Sequence, residues 1–170
     1  MATNFEFIKS GSGSSVSSIS LTNCFSEVYD IYKITFDITN SSAGSAIDFF
    51  IRLIDSAGNV ITASEYDRAN FNLNDASGFG SFHTTSSDKF NSHTQLSNSS
   101  NSAGGLSYII NPYDATNYTF HMAQTFFDNS SNLVAKKIVG VHKQEEQITG
   151  FSYIIGSGTF TGSINVYGMR

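Results

Sequence analysis

One cysteine, one proline and no tryptophan occur in 170 residues. Cys24 has no partner for an intramolecular disulfide, and no multi-cysteine zinc site can form. It reads as a small buried hydrophobe following Leu21. Charge is scarce as well: Asp, Glu, Lys and Arg make up 14% of the chain, against about 25% in ordinary soluble domains. The formal net charge is −5, and basic residues cluster nowhere beyond Lys136-Lys137. The positive groove that neutralises phosphates is missing, so nucleic acid is not an expected partner. No run approaches the roughly 18 apolar residues of a membrane helix, so no membrane partner is expected either. Met1 to Lys9 lacks a basic region followed by an apolar stretch of secretory length, which leaves synthesis in a cytoplasm as the expectation. Asn98-Ser99-Ser100 and Asn117-Tyr118-Thr119 are then products of composition and not glycosylation sites.

Catalytic signatures are missing too. The chain has no Gly-x-Ser-x-Gly elbow, no Walker-type phosphate loop and no His-Glu-x-x-His zinc motif. His83, His93, His121 and His142 are spread singly; His121 and His142 fall in expected strands and could meet across a sheet. Glu145-Glu146 suits a solvated turn. Glu65 and Asp67 beside Tyr66 could form one wall of a glycosidase site, which needs paired carboxylates, but nothing fixes their separation. Tyr29, Tyr32, Tyr66 and Tyr113 are the aromatics that could stack on a sugar in place of tryptophan. The Asp55 to Asn59 and Asp128 to Asn132 turns offer too few oxygens for calcium, and bonds to the turn's own backbone explain them better. The expectation is a protein with no catalytic residues, no metal and no cofactor.

What the chain does have is alternation, with abundant Ser, Asn, Thr and Gly and 15 phenylalanines. Tyr32, Ile34, Phe36 and Ile38 alternate with Lys33, Thr35 and Asp37, the pattern of a half-buried strand. Ile47, Phe49, Ile51 and Leu53 form a wholly apolar face, but the reverse face carries Phe50 and Ile54, which need cover from a second layer or a partner chain. Residues 64 to 75 fit a short helix or an irregular crossing. Residues 84 to 104 are almost entirely polar, with Phe90 and Leu96 as apolar anchors, and read as a long loop suited to contacting a partner. Further strands follow over 106–110, 118–122 and 133–141. The segment Ile148 to Ile155, the Gly156-Ser157-Gly158 turn and the segment Gly162 to Gly168 read as a closing β-hairpin.

About eight to ten strands without helical periodicity imply an all-β fold. The expected form is a two-sheet antiparallel sandwich, jelly-roll-like and single-domain, because each sheet hides its apolar face on the other. Residues 1–15 are an N-terminal arm or edge strand with Phe5 and Phe7 at its tip, and 16–170 form the sandwich. The candidate partner contacts are Phe5, Phe7, Phe50, Ile54, Phe90 and Leu96.

The ending on Tyr167-Gly168, the aromatic strand Tyr29 to Phe36, the Asp48 to Val60 segment leading to Glu65-Tyr66, and Asn111-Pro112 after a strand occur in order over roughly 16 to 170. Together they resemble the small β-rich virion surface proteins of tailed bacteriophages. That resemblance implies a capsid cement or decoration subunit, located in the virion, whose partners are the major capsid protein or other virion subunits. It also implies a homo-oligomer, for which a trimer is expected. The alternative within the same resemblance is a tail-fibre or receptor-binding module that recognises host surface glycans.

Overall fold

The computed structural model describes residues 4–42, 47–96, 103–128 and 132–170. Alternating segments become twelve strands: β1 Phe5–Val16, β2 Ser18–Leu21, β3 Ile31–Ser41, β4 Ile47–Asp55, β5 Tyr66–Asn74, β6 Gly78–Ser87, β7 Phe90–Leu96, β8 Ala103–Ile110, β9 Thr119–Asp128, β10 Leu133–His142, β11 Ile148–Ile155 and β12 Phe160–Met169. No helix is present among the described residues. The strands form an eight-stranded sheet in the order β1-β12-β3-β8-β9-β10-β5-β6 and a four-stranded sheet in the order β2-β11-β4-β7. The pairings are antiparallel. The two sheets pack as an open sandwich of jelly-roll-like form.

The core sits where the expected faces meet. Tyr32, Ile34, Phe36 and Ile38 of β3 are buried against Phe49, Ile51 and Leu53 of β4 and Phe151 and Tyr153 of β11. The rings interlock: Phe36 lies 5.2 Å from Tyr153, and Phe49 lies 5.0 Å from Phe160 edge-on. Each such side chain contributes roughly 1.5–3 kcal/mol on leaving water. Cys24 is buried, its thiol donates to the Leu21 carbonyl, and burial pushes its pKa up to about 12.

Several expectations change. The terminal segments are strands with the expected inward faces, but they do not pair with each other. β11 lies between β2 and β4 in the small sheet, and β12 lies between β1 and β3 in the large one. The glycine turn therefore carries the chain from one layer to the other, with Gly158 at φ 78°. Likewise Asp48 to Val60 is one strand and a turn, closed only by a bridge between Ile54 and Val60. The Asp55 carboxylate accepts from the backbone N–H groups of Ala57 and Asn59, as side-chain capping of a turn predicts. Asn111 takes a left-handed φ of 55°, which asparagine tolerates, and its N–H donates to the Asp30 carbonyl.

Residues 66–74, expected as a helix or crossing, are the strand β5, and much of the 84–104 loop is β6, β7 and β8. Hydroxyl and amide side chains do not prevent a strand when the few apolar ones face inward. Phe90 and Leu96 do so, at 1% and 0% exposure. They are core residues, as is Ile54 at 1%, and no partner can reach any of the three. Residues 97–102 of that loop, the sequon at 98–100 and residues 129–131 of the second Asp-to-Asn turn lie outside the described residues. The N-terminal segment is an edge strand: β1 pairs with β12 from Phe5 opposite Met169 to Val16 opposite Phe160.

Gly150 lies beside a break in the register of β11 with β4. A Cβ there would collide with the carbonyl oxygen of Leu21, the last residue of β2, and touch the Thr22 backbone just beyond it. Gly150→Ala must therefore push β2 away from β11. A loss of roughly 1–3 kcal/mol, the usual cost of overpacking, is expected in urea unfolding.

Candidate functional site: an apolar outer face

In the large sheet β8, β9, β10, β5 and β6 lie side by side. On β9 the inward side chains are Thr119, His121, Ala123, Thr125 and Phe127, all buried. The outward ones include Phe120, Met122 and Phe126, at 45%, 43% and 52% exposure. This strand is inverted relative to the usual apolar-in, polar-out pattern of an antiparallel sheet. The inversion spreads sideways through the register. Phe126 stands opposite Ala135, Ala135 opposite Leu73 and Leu73 opposite Phe79. One row further along, Leu106, Gln124, Lys137 and Phe71 are aligned, and then Tyr108, Met122, Val139 and Ala69.

Phe79 and Phe71 are 84% and 65% exposed, large rings that folding of the isolated chain leaves in water. With strands about 4.8 Å apart and outward residues about 7 Å apart along each, these rows cover an area on the order of 300–400 Å². Contiguous apolar patches of that size on monomers are often functional. Between Phe71, Leu73 and Phe79 on one side and Leu106 and Phe126 on the other runs an open groove of about 560 Å³. A Cβ at Gly104 would press on the Phe36 carbonyl oxygen at 3.1 Å and on the Phe126 ring at 3.3 Å. Between β8 and β6, Lys137 is the one Lys, Arg, Asp or Glu within these three rows.

The layer beneath is polar. Arg68, Asn70, Lys136 and His121 are buried. Arg68 donates to the Asn70 side chain and, at 3.2 Å, to the Thr84 hydroxyl. Lys136 lies 5.0 Å from the Phe127 ring. Burial lowers its pKa to about 8, with Asp48 opposing that shift and Arg68 adding to it. His93 bridges the Tyr153 hydroxyl at 3.2 Å and the Ser107 hydroxyl at 2.8 Å. Arg68, Asn70 and His93 hold position through these hydrogen bonds, and the apolar residues of β9 and β5 at alternate positions point outward.

Of the predicted contacts, Phe5 and Phe7 are exposed, at 46% and 56%. Register carries Phe7 through Tyr167, Lys33 and Tyr108 to Met122, so it shares the outer face of the same sheet at its opposite edge. Phe50 is covered within the chain by the Lys89 ammonium at 4.6 Å and the Arg52 guanidinium at 5.4 Å. Phe71, Phe79, Phe120, Met122 and Phe126 were not anticipated. Their apolar alternation was visible in the sequence, but such alternation normally marks the face that turns inward.

The tyrosines considered for sugar stacking are largely unavailable. Tyr32 and Tyr66 are fully buried, Tyr29 is 6% exposed and Tyr113 packs against the core. Glu65 and Asp67 are drawn to different partners, Glu65 to His142 at 3.2 Å and Asp67 to Lys143 at 2.9 Å. His121 does not meet His142: register sets them opposite Gly140 and Thr119, and the rings beside His121 are Phe90 at 4.8 Å and His93 at 5.3 Å. Glu146, expected in a solvated turn, lies 3.5 Å from His142. Among the described residues no helix is long and apolar enough to cross a membrane. In comparisons with known proteins, no family model matches the chain, and no curated protein and no solved structure matches it.

Proposed function

We propose that this chain is a non-enzymatic structural subunit of a phage particle, a cement or decoration protein that clamps neighbouring shell subunits through the outer face of its large sheet. The observation that carries the reading is the inverted strand β9, with phenylalanine and methionine outside and histidine and threonine inside. A surface built that way is complementary to another protein and costly to leave in water. The sparse charge of the chain fits the same role, because few ions have to be desolvated when subunits close on each other. The virion setting rests on the resemblance of the ordered motifs from Tyr29 to Gly168.

A standard interface of roughly 1,600 Å² at about 25 cal/mol per Å² supplies a large gross gain, of which ordering and desolvation consume most. Repetition over a shell makes a modest net gain per copy sufficient. The chain also self-associates in this reading, as a trimer around a closed axis. Cryo-electron microscopy of purified particles tests the proposal. Density for the chain at every local symmetry axis of the shell is the expected result. A few copies confined to the tail would overturn it in favour of a receptor-binding module.

A further inference from the structure

We propose that Glu65, His142 and Glu146 form a binding site for a divalent cation of the zinc class. The site lies apart from the outer face and does not depend on the function proposed above. Its three ligands come from three segments: the residue before β5, the last residue of β10 and the connection from β10 to β11. The His142 Nε2 lies 3.2 Å from a Glu65 oxygen and 3.5 Å from a Glu146 oxygen. Ligand atoms about 2.0–2.2 Å from a tetrahedral zinc stand roughly 3.3–3.6 Å from one another, so two edges of the polyhedron are already near their final length. All three ligand atoms lie within 4.8 Å of one another. The carboxylate-to-carboxylate edge closes by rotation of side chains that are 29% and 33% exposed.

The imidazole is the fixed member. It is fully buried and lies 4.8 Å from the Tyr66 ring, and the Glu65 carbonyl accepts from the Lys143 N–H at 2.8 Å, which ties the first two segments together. Nε2 points at the two carboxylates, and the buried Nδ1 has no hydrogen-bond partner among the described residues. In any protonation state the ring offers at most one proton at Nε2 for two carboxylates. The nearby Lys143 ammonium is engaged by Asp67.

A dication answers all of this at once. It takes the Nε2 lone pair and both carboxylates and leaves a fourth position for water. The ring proton moves to Nδ1, which lacks a partner in either tautomer. The nitrogen ligand favours zinc over magnesium. The bound ion would pin the β10–β11 connection to the start of β5.

The test uses the full chain, stripped with EDTA and titrated with ZnCl2 by calorimetry and thermal melting, with MgCl2 in parallel. Zinc at about 100 times its Kd is expected to raise Tm by roughly 5–10 °C, and magnesium to leave it unchanged. Glu65→Gln and Glu146→Gln, both at partly exposed positions, are each expected to fold and to weaken zinc binding at least tenfold. Cobalt(II) is expected to give visible absorption that zinc abolishes. No heat and no Tm shift with zinc, or binding of undiminished strength in both variants, would overturn the proposal.

Discussion

Serine at both Phe71 and Phe79 is expected to leave the fold intact and to cost the chain at least about 30-fold in affinity for its partner. The two effects separate because of where the rings stand. Phe71 and Phe79 are 65% and 84% exposed in the isolated chain, so little of their surface is withdrawn from water by folding. Exposed substitutions usually move stability by no more than about 0.5 kcal/mol, or about 2 °C in a domain of this size. Aromatic residues at the centre of an interface behave differently: losing one typically costs 2 kcal/mol or more, which is the 30-fold. The measurement is re-addition of the purified chain to particles stripped of it, with sedimentation velocity of the free chain alongside. A variant that reoccupies particles as well as the parent would show that the outer face is not what binds.

That face explains why some of the molecule was legible in its sequence and some was not. Where a strand has an apolar side and a polar side and the apolar side is buried, period-two alternation gives the inward face directly. β3 is such a strand, with Tyr32, Ile34, Phe36 and Ile38 inside. β9 has equally clear alternation, yet the same rule selects the wrong side, because alternation reports that two faces differ and not which of them meets the other sheet. His121 and Thr125 lie inward because β7 crosses over this part of the large sheet with His93 and Thr94, and Thr125 donates to the His93 carbonyl at 2.9 Å. Such a polar seam depends on residues far apart in the chain, and no window of neighbouring residues contains it.

Pairing was the second illegible level. The inward faces of Phe151 to Ile155 and of Ile164 and Val166 follow from alternation, and all these positions except Ile154 are buried. Alternation is the same whether two consecutive strands pair with each other or are parted into opposite layers, and here they are parted. A long polar stretch misleads in a similar way. Ser and Thr in β6 and β7 lower the local hydrophobicity without changing the backbone: Phe90 and Leu96 anchor β7 inward, and β6, with no buried residue, is held by its pairing to β5. The Glu65, His142 and Glu146 cluster joins segments 77 residues apart and has no local signature at all.

The buried histidines make the fold sensitive to acid. His93 and His121 are each 1% exposed. Burial holds the His121 pKa down at about 3, and burial, with the positive ends of His121 and Lys136 nearby, holds that of His93 well below its usual value. In the unfolded chain both titrate near 6.5. Below pH 6.5 the unfolded state therefore binds protons that the folded state refuses, and stability falls as pH falls. It is fully present above 6.5 and continues to be lost down to the folded-state values. Each proton costs about 1.4 kcal/mol per pH unit, so His121 alone removes roughly 2 kcal/mol between pH 6 and 4.5 and His93 adds to that loss, against total stabilities of about 5–15 kcal/mol.

Other groups do not mask this. Asp55, Asp67, Asp88 and Asp114 have lowered pKa values, and their contribution is lost only below their unfolded value near 4. His142 is lowered by burial and adds to the acid loss, while Glu146, raised, opposes it in part. Urea unfolding at half-unit steps from pH 7.5 to 4.5 reads the slope. His121→Leu separates the histidine effect from general acid damage. Neither nitrogen of His121 has a hydrogen-bond partner among the described residues, so an apolar side chain of similar size gives up ring packing on Phe90 and His93 but no hydrogen bond at pH 7, and it removes one proton from the linkage. Stability equal to or above the parent at pH 7, with the slope below pH 6 reduced by about one proton, is expected. A pH profile that is flat in the parent, or unchanged in the variant, would mean that the core does not hold His121 neutral.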